Sequence, residues 1–232
     1  MDPDTSIGGA NRNFPSTQHS LLNAAAAGLE TDGVDRIVAL YWKPVYHFIR
    51  LKFRKSNEDA KDLTQSFFTT ALQRDFFSRF DPARASFRTY LRMAVERFAA
   101  NEYASANRQK RGGGIALEQI EDDTVSTTES PEQIFEREWR RQLFVLAIED
   151  LRSICEAAQK NTHFQIFQAY DLAADRPPSY SELGTEFGIP ETSVTNHIAW
   201  ARRTLRALVS ERLRGVTSGN SELREEMRRV WI

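Results

Sequence analysis

The feature that most constrains the fold of this chain is the helical spacing of its apolar residues. From Val34 onward, apolar side chains recur every three or four residues: Ile37, Val38, Tyr41, Val45, Phe48 and Ile49. That spacing places them on one face of a helix. No convincing run of alternating apolar and polar residues, which is typical of a strand, is present, and no internal repeat is evident. The sequence therefore predicts an all-α fold.

The first half of the chain predicts three helices. The first begins at Val34, and Pro44 predicts a kink or a break inside it. The second begins after a capping serine, Ser56, and carries acidic residues in its first turn. The third runs over about 86–108 and ends before three consecutive glycines.

The second half predicts four more helices, over 132–158, 162–172, 181–187 and 190–213. Gly188 permits a turn between the last two, and Pro190 opens the final one. This arrangement predicts a helix-turn-helix. A short helical patch near the C-terminus either docks on this half or binds a regulator, and its apolar residues are Leu223, Met227, Val230 and Trp231.

A change of composition predicts two helical domains joined by a flexible acidic linker. The stretch from Ile115 to Pro131 is acidic and rich in Ser and Thr, which is a linker composition. The predicted divisions are a disordered N-terminal arm (1–33), a first domain (34–112), the linker (113–131), a second domain (132–214) and a C-terminal tail (215–232).

The formal net charge of −1 conceals blocks of opposite sign. Residues 41–111 hold 15 Lys and Arg against 7 Asp and Glu, and residues 112–140 hold 2 against 8. Residues 196–214 then hold 5 Arg against one Glu. Two basic blocks around an acidic connector indicate either two modules that contact a polyanion or two solvated helical surfaces.

Several classes of function are disfavoured by what the sequence lacks. No apolar run approaches the length of a membrane helix and the N-terminus does not resemble a signal peptide, so we expect a cytoplasmic protein without membrane insertion. A single cysteine, Cys155, excludes an intrachain disulfide and a cysteine-based zinc cluster. The histidines are far apart in sequence and are expected to be structural or surface residues: His19, His47, His163 and His197.

Neither enzymatic activity nor a cofactor is expected. The sequence has no Gly-rich phosphate loop, no His-Glu-x-x-His arrangement and no nucleophile motif around a serine or around Cys155.

The predicted helix-turn-helix carries candidate DNA-binding residues. Leu183, Val194 and Ile198 are among the apolar residues that pack its two helices together, and Gly184 is small enough for their crossing. Candidates for contact with base edges are Glu191, Thr192, Thr195, Asn196 and His197, and the candidates for contact with phosphates are Arg202, Arg203 and Arg206. An ordinary αα-hairpin shows the same turn, but the Gly-Ile-Pro turn and the arginine cluster favour DNA binding.

The first half of the chain contains the motif Asp62-Leu-Thr-Gln-Ser-Phe-Phe68, and the second half contains the helix-turn-helix described above. With these two features, both halves of the chain resemble the bacterial RNA polymerase sigma factors of the sigma-70 family, specifically the small two-domain extracytoplasmic-function (ECF) group. The resemblance covers roughly residues 34–112 and 132–214. In the first half, Asp62-Leu-Thr-Gln-Ser-Phe-Phe68 is similar to the Asp-Leu-x-Gln-x-x-Phe helix of the family's region 2. In the second half, residues 179–206 are similar to region 4.

The resemblance implies a transcription initiation factor that binds core RNA polymerase and directs promoter recognition and DNA melting. Region 4 would bind the minus-35 element as duplex, and region 2 would bind the minus-10 element as single strand. Polymerase-binding residues implied by the motif are Asp62, Gln65 and Phe68. Residues implied for the minus-10 strand are Arg88, Arg92, Arg97, Asn101, Arg108, Lys110 and Arg111.

Two details of the first half qualify the resemblance. Ser66 stands where the family often has an acidic residue, and Ala104 stands where an arginine is common. Phe87 and Tyr90 match aromatic positions of the family helix; Phe87 is expected in the core, while Tyr90 is equally compatible with the core and with base stacking.

An alternative to the sigma factor is a free-standing helix-turn-helix transcriptional regulator with a sensory N-terminal domain. The motif over 62–68 argues against it, since a sensor has no reason to carry a polymerase-binding helix. An anti-sigma factor or another regulator is a further possible partner that the sequence does not identify.

Overall fold

The structure is a computed structural model that describes residues 31–74, 76, 79–81, 83–111, 128–217 and 219–231, without the side chains of 31–33 and 105–111. The predicted disordered arm, apart from residues 31–33, and the linker up to residue 127 lie outside the described residues. Within the described residues the regular elements are all α-helices and none is a β-strand, which confirms the all-α prediction. They are α1 (Thr31–Lys52), α2 (Asn57–Gln73), α3 (Phe87–Arg111), α4 (Pro131–Ala157), α5 (Asn161–Asp171), α6 (Tyr180–Phe187), α7 (Glu191–Arg214) and α8 (Asn220–Val230).

Side-chain caps fix where several of these helices begin. The Ser56 hydroxyl accepts the Asp59 N–H at 3.1 Å, as predicted for the start of α2. Before α4, Ser130 and Gln133 each accept the other's backbone N–H, at 3.2 and 2.7 Å. Such reciprocal bonds satisfy N–H groups that have no partner within the helix.

Of the kink or break predicted at Pro44, the break does not occur, because α1 continues through the proline to Lys52. Proline removes one backbone hydrogen bond from a helix. Here the residues on either side, Tyr41 and Val45, are buried along one continuous face. Their packing keeps the helix intact.

The described residues fall into two compact units that divide inside α4, between Gln142 and Leu143. The sequence places its domain boundary earlier, in the linker over 113–131, and most of that stretch is not described. The predicted domain bounds therefore remain predictions.

The first unit contains α1, α2, α3 and the first turns of α4. Its core is aromatic: the Tyr41 and Phe87 rings meet edge to face at 5.5 Å, and Phe48 meets Phe135 at 5.9 Å. Phe87 is buried, as predicted. Burial of large aromatic side chains contributes much of the energy that holds such a core together.

The second unit contains the later turns of α4 together with α5 to α8. Buried Ile166, Leu183, Val194 and Ile198 form one apolar cluster between α5, α6 and α7. The C-terminal patch is helical, and α8 docks on α7 within this unit. Of the two alternatives for the patch, the structure thus shows docking.

Within the part of the chain that the structure describes, no helix combines the length and the apolar character needed to cross a bilayer.

Candidate nucleic-acid interface

Two glycines shape the turn between α6 and α7. Gly188 has φ 64°, a left-handed conformation that costs little only for glycine, and the next residue's N–H bonds back to the Gly184 carbonyl at 2.9 Å. A Cβ on Gly184 would lie 2.9 Å from the Ile189 carbonyl oxygen, closer than carbon and oxygen tolerate. These contacts fix the crossing of the two helices.

The start of α6 is fixed by a capping box. Ser179 accepts the Glu182 N–H at 3.2 Å, and the Glu182 carboxylate accepts the Ser179 N–H at 2.6 Å. These hydrogen bonds hold the pKa of Glu182 below its usual value. This cap was not predicted, although its Ser-x-x-Glu spacing is visible in the sequence.

One exposed face runs along α7. Thr192, Thr195 and Asn196 are exposed in its first turns. At 100° per residue, Arg203 and Arg206 lie on the same side of the helix, and both are exposed. The structure therefore brings together five of the predicted DNA-binding residues on a continuous polar and basic surface.

His197 does not join this surface as a free side chain. It is half-buried, and its ring stacks on that of His163 with centroids 3.7 Å apart. Burial lowers the pKa of both imidazoles. The charges of His197 and Lys160 lower the pKa of His163 further. The ring is engaged in packing α7 against α5.

Arg202 is held by a carboxylate. Its guanidinium donates to both oxygens of Asp171, with Nη2 to Oδ1 at 2.5 Å and Nε to Oδ2 at 3.0 Å. The hydrogen bond to Asp171 raises the pKa of Arg202. This bidentate pair must open before Arg202 can bind a phosphate through the same donors.

The predicted minus-10 residues on α3 differ in how exposed their side chains are. Arg88 is buried, with its Nε 2.8 Å from a Glu136 oxygen and its guanidinium carbon 3.9 Å from the centre of the Trp139 ring. Arg97 and Asn101 are exposed and Arg92 is half-buried. The side chains of Arg108, Lys110 and Arg111 lie outside the described residues.

The predicted polymerase-binding residues on α2 also divide. Asp62 and Gln65 are exposed. Phe68 is buried and stacks on Trp42 with ring centroids 5.8 Å apart, so it does not share their surface in this structure. Phe68 lies six residues after Asp62 and therefore points about 240° away from it around the helix axis. This direction faces α1.

Glu138 is a buried carboxylate that the predictions did not include. Arg137 donates to it at 3.3 Å, and an Arg141 nitrogen lies 3.8 Å away. Burial lowers the pKa of nearby His47, whereas the Glu138 charge opposes that effect. The available signal was the place of Glu138 within the apolar stripe of α4, where a charged residue needs partners.

Aromatic side chains around Tyr90 favour a structural role for that residue. Its ring stacks on Phe76 at 4.6 Å, and its hydroxyl donates to the Phe76 carbonyl at 3.1 Å. Burial raises the pKa of this hydroxyl.

Within the described residues no three His, Cys, Asp or Glu side chains lie together as potential metal ligands. No protein-family model matches this chain, and no curated protein and no solved structure matches it significantly.

Proposed function

We propose that this chain is a bacterial transcription initiation factor of the ECF sigma group, which binds core RNA polymerase and directs it to promoters. The observation that carries the proposal is the helix-turn-helix of α6 and α7, with its polar face that continues into arginines. The motif on α2 supports binding to core polymerase, through the family resemblance.

The shape of α7 suits duplex DNA. It has 24 residues and is therefore about 36 Å long. The hydroxyl and amide groups of Thr192, Thr195 and Asn196 occupy the end that enters a major groove, where they can reach base edges. Arg203 and Arg206 follow two to four turns later, where the phosphates flank the groove.

The exposed face of α3 suits an unpaired strand. Met93, Arg97 and Asn101 are spaced by four residues and are all exposed, so they form one stripe along the helix. Met93 offers an apolar surface for a base, Arg97 a charge for the backbone, and Asn101 hydrogen bonds to a base edge. This stripe is the proposed contact with the minus-10 element.

The outer face of α2 suits a basic partner. Asp62 and Gln65 present hydrogen-bond acceptors at the surface, and Asp62 adds a negative charge. Both can be truncated without opening a cavity, because neither is buried.

Co-purification with core RNA polymerase tests the proposal. We expect the wild-type chain to be retained by immobilised core enzyme and the Asp62→Ala, Gln65→Ala double variant to be retained at least tenfold less. The matched control is Gln165→Ala with Glu186→Ala, which removes an exposed amide and an exposed carboxylate elsewhere. It should bind like wild type.

Two outcomes would contradict the proposal. If wild type is not retained, the chain does not bind polymerase; tight binding to duplex DNA alone would then favour the free-standing regulator. If both double variants bind like wild type, α2 does not form the interface.

A further inference from the structure

Trp231, the last described residue of the chain, lies against Arg206 of α7. The guanidinium carbon of Arg206 is 5.7 Å from the centre of the Trp231 ring, within the range of a cation–π contact. Trp231 follows α8 directly and is 40% exposed. It lies far from Arg206 in sequence, so only the docking of α8 brings them together.

The Trp231 ring is itself held in place. Phe144 on α4 meets it edge to face, with centroids 5.2 Å apart and an angle of 89°. The neighbouring Val230 is buried, as is Leu223 about two turns earlier. These contacts therefore hold the Trp231 ring in one position on the second unit.

Arg206 lies on the face of α7 that carries Thr192, Thr195 and Asn196. The rise of 1.5 Å per residue places it about 17 Å beyond Thr195 along the helix. If the first turns of α7 enter a major groove, that distance brings Arg206 to the phosphates at the groove's edge.

Arg202 and Arg206, one turn apart on α7, differ in what restrains them. Arg202 is held by the Asp171 carboxylate, which occupies its N–H donors and neutralises its charge. Arg206 is held by a ring, which contacts the guanidinium without accepting its N–H groups in ordinary hydrogen bonds. A ring contact limits the side chain's rotamers while its donors and its charge stay available to a phosphate.

We propose that Trp231 is a positioning residue, which orders Arg206 for contact with a DNA phosphate and makes the C-terminal helix part of the nucleic-acid interface. This inference rests on the proposed function of α7 in binding duplex DNA. The docking of α8 on α7 does not by itself imply this role in DNA binding.

A double-mutant cycle on the full-length chain tests the inference. The probe is a 30-base-pair duplex of mixed sequence, and binding is followed by fluorescence anisotropy between 50 and 200 mM salt. We expect Arg206→Ala to reduce the slope of log K against log salt by about 0.9, the value for one phosphate contact. Trp231→Ala should weaken binding about threefold when Arg206 is present.

The distinguishing result is what happens without Arg206. Trp231→Ala should have no effect in the Arg206→Ala background, and Trp231→Phe, which retains a ring, should bind within about 1.5-fold of wild type. A merely structural role for Trp231 would weaken binding equally in both backgrounds. Circular dichroism and thermal melting show whether each variant is folded.

Arg203→Ala separates this inference from the proposed function. If it reduces the salt slope while Trp231→Ala changes nothing, α7 binds DNA and the role of Trp231 is wrong. If neither Arg203→Ala nor Arg206→Ala changes binding, the proposed DNA surface of α7 is itself wrong.

Discussion

The two stacked histidines show how single residues couple this fold to pH. His163 and His197 lie ring to ring, and Trp200 meets His163 edge to face with centroids 5.3 Å apart. The ammonium group of Lys160 lies over the same Trp200 ring, 4.6 Å from its centre. A proton added to either imidazole would therefore enter a partly desolvated site, and at His163 it would also meet the charge of Lys160.

The first prediction is a loss of stability on mild acidification. Burial holds the pKa of both imidazoles below their ordinary value of 6.5, so the unfolded chain binds more protons than the folded one. Their contribution is present above about pH 6.5 and is lost as the pH falls from there through the lowered values. Urea unfolding at pH 7.5 and pH 5.5 measures the difference.

The His163→Phe, His197→Phe double variant is the control for that prediction. It should lose less stability between the two pH values than wild type does. Some dependence should remain, because burial also lowers the pKa of His47 in the first unit. Equal losses in the variant and in wild type would contradict a role for the pair.

The second prediction concerns the left-handed turn. Gly188→Ala should lower the free energy of unfolding by about 1–2 kcal/mol, because its φ of 64° brings Cβ too near the backbone. Gly215→Ala is the matched control: Gly215 has φ −66°, and the nearest atom to a new Cβ is an ordinary 3.6 Å away. If both variants unfold alike, strain at Gly188 is not the cause.

At the scale of elements, the first turns of α4 complete the first unit. Ile134, Phe135 and Trp139 are buried there, and Gln142 donates to the Ala39 carbonyl at 3.1 Å. Charged contacts surround this packing: Lys52 pairs with both Glu96 and Glu132, at 2.9 and 2.7 Å. In this arrangement α4 covers Arg88, which the family resemblance had implied as a contact with the minus-10 strand.

The third prediction measures that packing. Trp139→Ala should destabilise the chain by about 3–5 kcal/mol, because it opens a cavity and removes the ring beneath the Arg88 guanidinium. Arg140→Ala, at the exposed neighbouring position, should change stability by less than about 0.5 kcal/mol. A loss below about 1 kcal/mol for Trp139→Ala in urea unfolding would show that α4 contributes little to this core.

The same elements show what the sequence could predict. The period of 3.6 residues located the helices, and Ser56 marked a helix start correctly, because both signals are local. The burial of Arg88 was not predictable, since it depends on Trp139, which is distant in sequence. The sequence did not decide between a kink and a break at Pro44, because a local rule takes no account of the packing around Tyr41 and Val45.

The residues of the candidate site likewise separate into those that local sequence could place and those that it could not. The exposed face of α7 follows from helical rotation alone, so Thr192, Asn196 and Arg203 could be placed from the sequence. The partners of His197, Arg202 and Arg206 come from α5 and from the C-terminal region. Spacing within one helix carries no information about them.

At the scale of the whole molecule, the two units have different tasks in the function proposed here. Under that proposal, the first would bind polymerase through the α2 surface and an unpaired strand through the α3 stripe, and the second would bind duplex DNA through α7. A free-standing regulator needs only the last of these. The central claim is therefore that the chain gives core polymerase the ability to start transcription at particular sequences.

The most direct test is transcription by core RNA polymerase reconstituted with this chain on fragmented genomic DNA, with sequencing of the 5′ ends of the transcripts. We expect a set of start sites that core polymerase alone does not use, and we expect these sites to share sequence elements near minus 10 and minus 35. The Asp62→Ala, Gln65→Ala variant should lose these starts. Transcript ends that are the same with and without the chain would contradict the claim.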